Sequence, residues 1–315
     1  MIYGGKMGKV RSLVTDTDFS KSEILSIFDR AKKVKAEVKS GKFVPYLAGK
    51  TMGMIFEKSS TRTRVSFEVG MSQLGGSALF LSSKDIQLGR GETIEDTARV
   101  LSRYIDIMMA RTFEHSKVED LARFGSVPII NGLTDLLHPC QALTDYYTVY
   151  EKGKKLEGLK FVYLGDGNNM AHSLMLTGAI LGCNVVVASP KSMSPDANVV
   201  KLAKELATKS GSYVELTEDS KEACIDADVV YTDVWASMGQ EEQFKEKERI
   251  LRPYQVNKEL FSLAKKDAFF MHCLPAHRGE EVTSDVIDGP NSVIFDEAEN
   301  RLHLQKAVTL FLMDK

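Results

Sequence analysis

Residues 51–71 read TMGMIFEKSSTRTRVSFEVGM. The first six, Thr51 to Phe56, form an apolar run of strand length. A polar connector follows, and Val65, Phe67, Val69 and Met71 then begin a stretch of helical character. Hydroxyl side chains at such a helix start can cap it. The same alternation of short apolar runs with amphipathic stretches recurs along the chain. Further strands are expected near Ala78 to Leu81, Ile105 to Ala110 and Pro128 to Asn131. The second half adds Phe161 to Leu164, Asn184 to Ala188, Tyr213 to Leu216, Val229 to Asp233, Ala268 to Met271 and Ser292 to Phe295. This alternation is the signature of a parallel sheet covered by helices. Upstream, Ser20 and Glu23 form a capping box ahead of Ile24, Ile27, Phe28, Ala31 and Val34, and Gly41 supplies a stop.

At roughly 150 residues per domain, 315 residues suggest two α/β domains. The charged, glycine-containing EKGKKLEGLK at 151–160 reads as the linker between them. The expected architecture is two doubly wound parallel-sheet domains. The first covers residues 1–148 and is rejoined by a closing helix over 297–315; the second covers 149–296.

Composition narrows the function. With 43% hydrophobic and 27% charged residues, the chain has the balance of a folded protein rather than a disordered one. The 41 Lys+Arg against 43 Asp+Glu leave a net charge of -2, so a nucleic-acid partner is not expected. No apolar stretch reaches the ~18 residues of a membrane span, and the opening MIYGGKMGKVRSLV lacks the apolar core of a signal peptide. A cytoplasmic location is expected. The cysteines Cys140, Cys183, Cys224 and Cys273 include no CxxC pair, so reduced thiols and no metal site are expected.

In open parallel sheets, ligands bind outside the carboxyl ends of the strands. Those loops hold the least structural-looking peptides. In Ser59-Ser60-Thr61-Arg62-Thr63-Arg64, a helix N-terminus reinforced by Arg62 or Arg64 would bind an anion; a plain cap with two solvent arginines is the alternative. Arg111 follows an apolar strand and could serve the same anion or pair with a nearby carboxylate. His138 precedes Pro139, which suits the first position of a helix that continues through Cys140 and Gln141. Its imidazole could donate to a carbonyl oxygen gaining charge, or simply be satisfied at the helix entry.

Gly165-Asp166-Gly167 lacks the third glycine of a dinucleotide-binding turn, and no acidic residue ends the next strand. No dinucleotide is therefore expected; of Asn168 and Asn169, one can cap a helix and the other bind a polar ligand group. Asp233, followed by Val234, Trp235, Ala236, Ser237, Met238 and Gly239, offers a carboxylate for an ammonium and a hydroxyl loop for a carboxylate. A helix-capping Asp233 beside a core Trp235 is the bland alternative. Cys273, in His272-Cys273-Leu274-Pro275, is either an inert buried thiol or a group close to a reacting amine.

Taken together, SSTRTR, MART, HPCQ, GDGNN, DVWASMG, HCLPAHRGEE and AENRLH, in this order, resemble the ornithine carbamoyltransferases within the aspartate/ornithine carbamoyltransferase family. The resemblance covers about Arg11 to Leu312. It implies transfer of the carbamoyl group of carbamoyl phosphate to L-ornithine, giving L-citrulline and phosphate, without metal or organic cofactor. It also implies that the first domain binds carbamoyl phosphate, through Ser60, Thr61, Arg62, Thr63, Arg111, His138, Pro139, Cys140, Gln141 and Arg301. Cys273 and Leu274 match residues lining the reacting amine and the carbamoyl end. Asn169, Asp233, Ser237 and Met238 match the ornithine contacts of the second domain. Arg111, His138, Asp233 and Cys273 are the expected catalytic groups. Gln87 matches a residue that the family supplies to a neighbouring subunit, which implies a homotrimer or a multiple of trimers. Putrescine or N-acetylornithine as the acceptor, and a non-catalytic solute-binding module, are the competing readings.

Overall fold

Parallel strands make both sheets of the molecule, and the structure, a computed structural model, describes residues 10–84, 86, 91–235 and 244–315. Gln87, Ser237 and Met238 lie outside the described residues. Tertiary contacts divide the chain into one unit of Met1–Leu143 with Arg301–Lys315, and a second of Thr144–Asn300.

The first unit contains α1 (Lys21–Lys39), β1 (Thr51–Phe56), α2 (Thr61–Gln73), β2 (Ser77–Ser82), α3 (Ile94–Leu101), β3 (Ile107–Arg111), α4 (His115–Phe124), β4 (Ile129–Leu133) and the start of α5 (Pro139–Glu151). The second continues with β5 (Lys160–Leu164), α6 (Asn169–Leu181), β6 (Asn184–Ala188), α7 (Ala197–Ser210), β7 (Val214–Thr217), α8 (Ser220–Cys224) and β8 (Val229–Thr232). Then come α9 (Phe244–Leu251), α10 (Lys258–Phe261), β9 (Phe269–Met271), α11 (Ser284–Ile287) and α12 (Ile294–Leu312), whose later part belongs to the first unit.

The division falls inside two helices rather than at 148/149 and 296/297. Tyr146 explains the first shift: its ring lies 4.9 Å from that of Phe161, and its hydroxyl donates to the Leu174 carbonyl at 2.8 Å. The later part of α5 is thereby committed to the second sheet. Asn300 explains the second, because its amide donates to Thr148 Oγ1 (3.1 Å) and Glu151 Oε2 (3.0 Å).

The capping box at Ser20 forms as its sequence predicts, with Ser20 and Glu23 each satisfying the other's backbone N–H. Nine of the expected strands form, with ends displaced by at most two residues. The tenth, Ser292 to Phe295, does not: Ser292 makes only an isolated bridge to Phe270, and α12 begins at Ile294. Asp296 and Glu297 in the first turn of α12 favour the helix through its dipole.

The first sheet has the order β2-β1-β3-β4 and the second β7-β6-β5-β8-β9, with every pairing parallel. In the first, the chain builds outward from β1 to β2 and then resumes on the other side at β3. In the second, it runs from β5 through β6 to β7 and resumes at β8. Each sheet therefore reverses direction once, between β1 and β3 and between β5 and β8. Such switch points splay the following loops apart at the carboxyl edge and leave a crevice for ligand. The interior strands are apolar and sealed; Ile55, Met108, Ala110 and Ile129 share a core with Val118 and Leu121, and Val162, Val186, Val230 and Phe270 lead the other. Strand β2, an edge, differs, with Leu79 48% and Phe80 37% exposed.

Candidate functional site

Both switch points carry the polar peptides singled out in the sequence. In the first unit, the connector after β1 leads into α2, where Ser60 is the cap and its hydroxyl accepts from Thr63 N at 3.3 Å. The remaining N–H groups of the first turn have no acceptor within the helix and make an anion site with the dipole behind it. Thr61 and Arg62 are exposed there. Arg64 turns elsewhere, pairing with Glu68 at 3.0 Å and lying 3.8 Å over the Phe80 ring. Of the two arginines considered for an anion, Arg62 is therefore the candidate.

Arg111 is the last residue of β3, opposite Phe56 of β1, and is 8% exposed. The β3–β4 register shifts between Ala110 and Arg111, a local break in regular pairing at the strand end. His138 sits immediately before α5, with Pro139 as the first helical residue as expected, and its carbonyl accepts from Gln141 N at 3.0 Å. Burial, with the Arg301 and Arg111 guanidiniums nearby, holds the imidazole well below its usual pKa. His138 is thus a neutral ring beside two fixed cations.

Arg301 reaches the same place from α12. It donates to the Gln141 amide oxygen and, at 3.1 Å, to Thr63 Oγ1, and is 4% exposed. One buried guanidinium thereby ties α2, α5 and α12 together. Cys140 differs from its neighbours: its thiol donates inward to the Asn131 carbonyl at 3.3 Å, and burial pushes its pKa up to about 12. What Cys140 can offer a ligand is main chain, and Pro139 carries no N–H to offer.

In the second unit, Gly165 adopts φ +136°, and a Cβ on Gly167 would lie 2.3 Å from Pro195 N. The two glycines shape a turn packed against its neighbour, which accounts for the GxG pattern without a dinucleotide. Asn168 caps α6, accepting from Met170 N and Ala171 N, and Asn169 is the first helical residue. Asp233 lies one residue past β8. Its Oδ1 accepts from Val234 N at 2.8 Å and from the Cys273 thiol at 3.1 Å, and its Oδ2 from Asn168 Nδ2 at 3.1 Å. Among the described residues, its partners are thus a neighbouring backbone N–H, a thiol and an amide. Trp235 is 1% exposed and belongs to the core, with Arg252 5.2 Å from its ring centroid.

Burial, and then the adjacent Asp233 carboxylate, raise the Cys273 pKa well above that of a free thiol. Cys273 is accordingly a hydrogen-bond donor, and Asp233 is the acceptor of the pair. Leu274 follows with φ +59°, a left-handed conformation uncommon for a residue with a side chain, and donates to His272 Nδ1 at 2.8 Å. His272 Nε2 is then the protonated nitrogen and donates to Glu281 Oε1 at 3.2 Å. Asp233, His272 and Cys273 lie close enough together to suggest a metal triad, but both nitrogens of His272 are already engaged.

The linkage of Asn168 to Asp233 is a contact that the sequence reading missed. Its signal was present, an asparagine pair opening a helix beside an acid-ending strand. Strand order was needed to bring them together.

Two family models match the chain. The aspartate/ornithine carbamoyltransferase carbamoyl-P binding domain matches residues 11–151, and the Asp/Orn binding domain of the same family matches 157–312. An ornithine carbamoyltransferase of Pyrococcus abyssi is 59% identical over 305 residues, covering 97% of this chain and 96% of the relative. An anabolic ornithine carbamoyltransferase of Pyrococcus furiosus is 58% identical over 303 residues, covering 96% of each. A solved ornithine carbamoyltransferase structure from Pyrococcus furiosus superposes with a TM-score of 0.94 at 58% identity, covering 96% of this chain and 97% of that one. With both family models matched and near-full-length relatives far above chance identity, the chain belongs to the aspartate/ornithine carbamoyltransferase family.

Proposed function

We propose that the protein transfers the carbamoyl group of carbamoyl phosphate to the δ-amine of L-ornithine, producing L-citrulline and phosphate in arginine metabolism. The observation that carries this reading is the pairing of chemistries at the two switch points: cations and a helix N-terminus in one, a carboxylate held ready for an amine in the other. Ser60, Thr61, Arg62 and Thr63 hold the phosphate, with Arg111 and Arg301 supplying charge against it. Pro139, Cys140 and Gln141 complete the donor side around the carbamoyl end.

Carbamoyl phosphate is already an activated mixed anhydride, so the reaction invokes no cofactor. Ornithine's δ-ammonium first gives a proton to water, the neutral amine attacks the carbamoyl carbon, and the attacking nitrogen passes its next proton to the departing phosphate. The carbonyl oxygen gains charge, which the neutral His138 ring and Arg111 stabilise by donating to it. The C–O bond to phosphate then breaks, and phosphate leaves with the electron pair onto the arginines and α2. Asp233 receives the amino group, and Cys273 and Leu274 line the reacting amine. Asn169, Ser237 and Met238 hold the amino-acid head group, which favours a free α-amino acid over putrescine.

The protein works in the cytoplasm as a homotrimer or a multiple of trimers, with Gln87 completing a neighbour's site. Exposed apolar side chains of the first unit support assembly: Val65 and Val69 on α2, and Leu79 and Phe80 on β2, are all at least 37% exposed. Among the described residues, no helix is long and apolar enough to cross a membrane.

The test is a citrulline assay with carbamoyl phosphate and, in parallel, ornithine, putrescine, N-acetylornithine and aspartate. Strongest turnover with ornithine is expected. Strongest turnover with another amine overturns the choice of acceptor, and absence of turnover with any amine restores the solute-binding reading.

A further inference from the structure

The helix cap at Asn168 also determines which way its amide faces. Its oxygen accepts from Met170 N at 2.9 Å and Ala171 N at 3.3 Å, and lies 3.3 Å from the Tyr163 hydroxyl. That hydroxyl also lies 2.9 Å from the Asp166 carbonyl, which fixes it over the turn. With the oxygen committed to the helix, the NH2 group on the other side of the same plane has to face outward. It meets Asp233 Oδ2 there at 3.1 Å.

The choice of cap is informative. Ser, Thr, Asp and Asn all cap helices well. Ser and Thr have a single short hydroxyl, and ionised Asp has no donor. Only Asn joins an acceptor for the helix to a donor on the opposite side. A carboxylate offers about four lone-pair directions. On Asp233, the Cys273 thiol and Val234 N take the two on Oδ1, and Asn168 takes one on Oδ2. Among the described residues one direction remains, on Oδ2, and the other three fix it.

We infer that Asn168 is a positioning residue for the acceptor amino acid, holding Asp233 so that its one remaining lone-pair direction meets the ligand's nitrogen. The inference rests on the proposed ornithine reaction. Without the amide, the Asp233 side chain regains rotation about its Cβ–Cγ bond and loses the preset direction.

Two substitutions separate this role from the cap. Asn168→Asp keeps an oxygen for α6 and Tyr163 but sets a second carboxylate against Asp233. Asn168→Ser keeps a short cap and leaves Oδ2 without its donor. Steady-state citrulline formation, with each substrate varied in turn, is the measurement. Asn168→Ser is expected to lower kcat/KM for ornithine about tenfold, and Asn168→Asp roughly a hundredfold, the scale of losing or reversing a hydrogen bond to a charged group. The KM for carbamoyl phosphate should stay within about twofold, because uniform damage to the protein is not what the geometry predicts. Tyr163→Phe should fall in the same direction by about threefold.

Wild-type ornithine kcat/KM in both Asn168 variants overturns the inference. So does an equal loss toward both substrates, which marks a structural cap alone. Wild-type protein that makes no citrulline overturns the reaction rather than the role of Asn168. The role is then read by calorimetry with L-ornithine, where weaker binding to Asn168→Ser than to wild type supports it and equal binding overturns it.

Discussion

The two switch points solve opposite electrostatic problems with different materials. In the first unit, the charges are permanent: Arg111 and Arg301 are nearly buried guanidiniums, α2 adds its N-terminal dipole, and the adjacent His138 is kept neutral. In the second unit, a carboxylate is held by hydrogen bonds from a backbone N–H, a thiol and an amide. In the proposed reaction, the first half attracts a multiply charged anion before any fine geometry is set. In the same proposal the second discriminates by direction, because each donor removes one way in which Asp233 could point.

The contrast is broken most severely at Arg111. Arg111→Met should lower kcat/KM for carbamoyl phosphate about a thousandfold, the upper scale for losing one oxyanion-stabilising group, while leaving ornithine saturation nearly unchanged. Steady-state kinetics with each substrate varied check it. If both substrates lose equally, the division of labour between the units is wrong. Asp233→Ala is the mirror experiment. A loss of roughly a hundredfold for ornithine is expected, with carbamoyl phosphate binding by calorimetry intact.

A stability measurement sharpens the comparison next. Burial lowers the His115 pKa in the first unit to about 4 from an ordinary 6.5. Above pH 6.5 the ring is neutral in folded and unfolded chains alike, so it has no effect there. Between about 6.5 and 4 the unfolded chain takes up a proton that the folded one refuses, and stability falls as the pH drops. His115→Asn should remove about 3 kcal/mol of that acid-induced loss, read as a flatter dependence of unfolding free energy on pH. An unchanged slope would show the ring to be protonated in the folded protein.

The smallest effect belongs to Cys273. Cys273→Ser preserves a donor to Asp233, so kcat/KM for ornithine should fall only about threefold to fivefold. Iodoacetamide at pH 8 should label Cys273 far more slowly than a free thiol, since its pKa is raised. Rapid labelling would mean that the thiolate is present and that Asp233 is not its acceptor.

Local signals made much of this legible in the sequence. The capping box at Ser20, the strand Thr51–Phe56 and the proline opening α5 are each written within a few residues, and each forms as read. Strand order was not legible, because parallel neighbours are joined by long crossovers that leave no turn signature. The contacts of Arg301 with Thr63 and Gln141 span 238 and 160 positions, so no spacing rule reaches them. The role of Asn168 was hidden for the same reason, lying 65 positions from Asp233. The apolar run at Ser292 misled because it is short enough to serve either a strand or the first turn of a helix.

The discontinuity of the first unit bears on how the protein is made. Its sheet is encoded early, yet Arg301 and the rest of its share of α12 are among the last residues in the chain. Every residue of the second unit is therefore translated before the guanidinium that joins Thr63 to Gln141 in the first. The domain whose sheet is encoded first is therefore the one that is completed last, because the whole of the second unit is translated between its two parts.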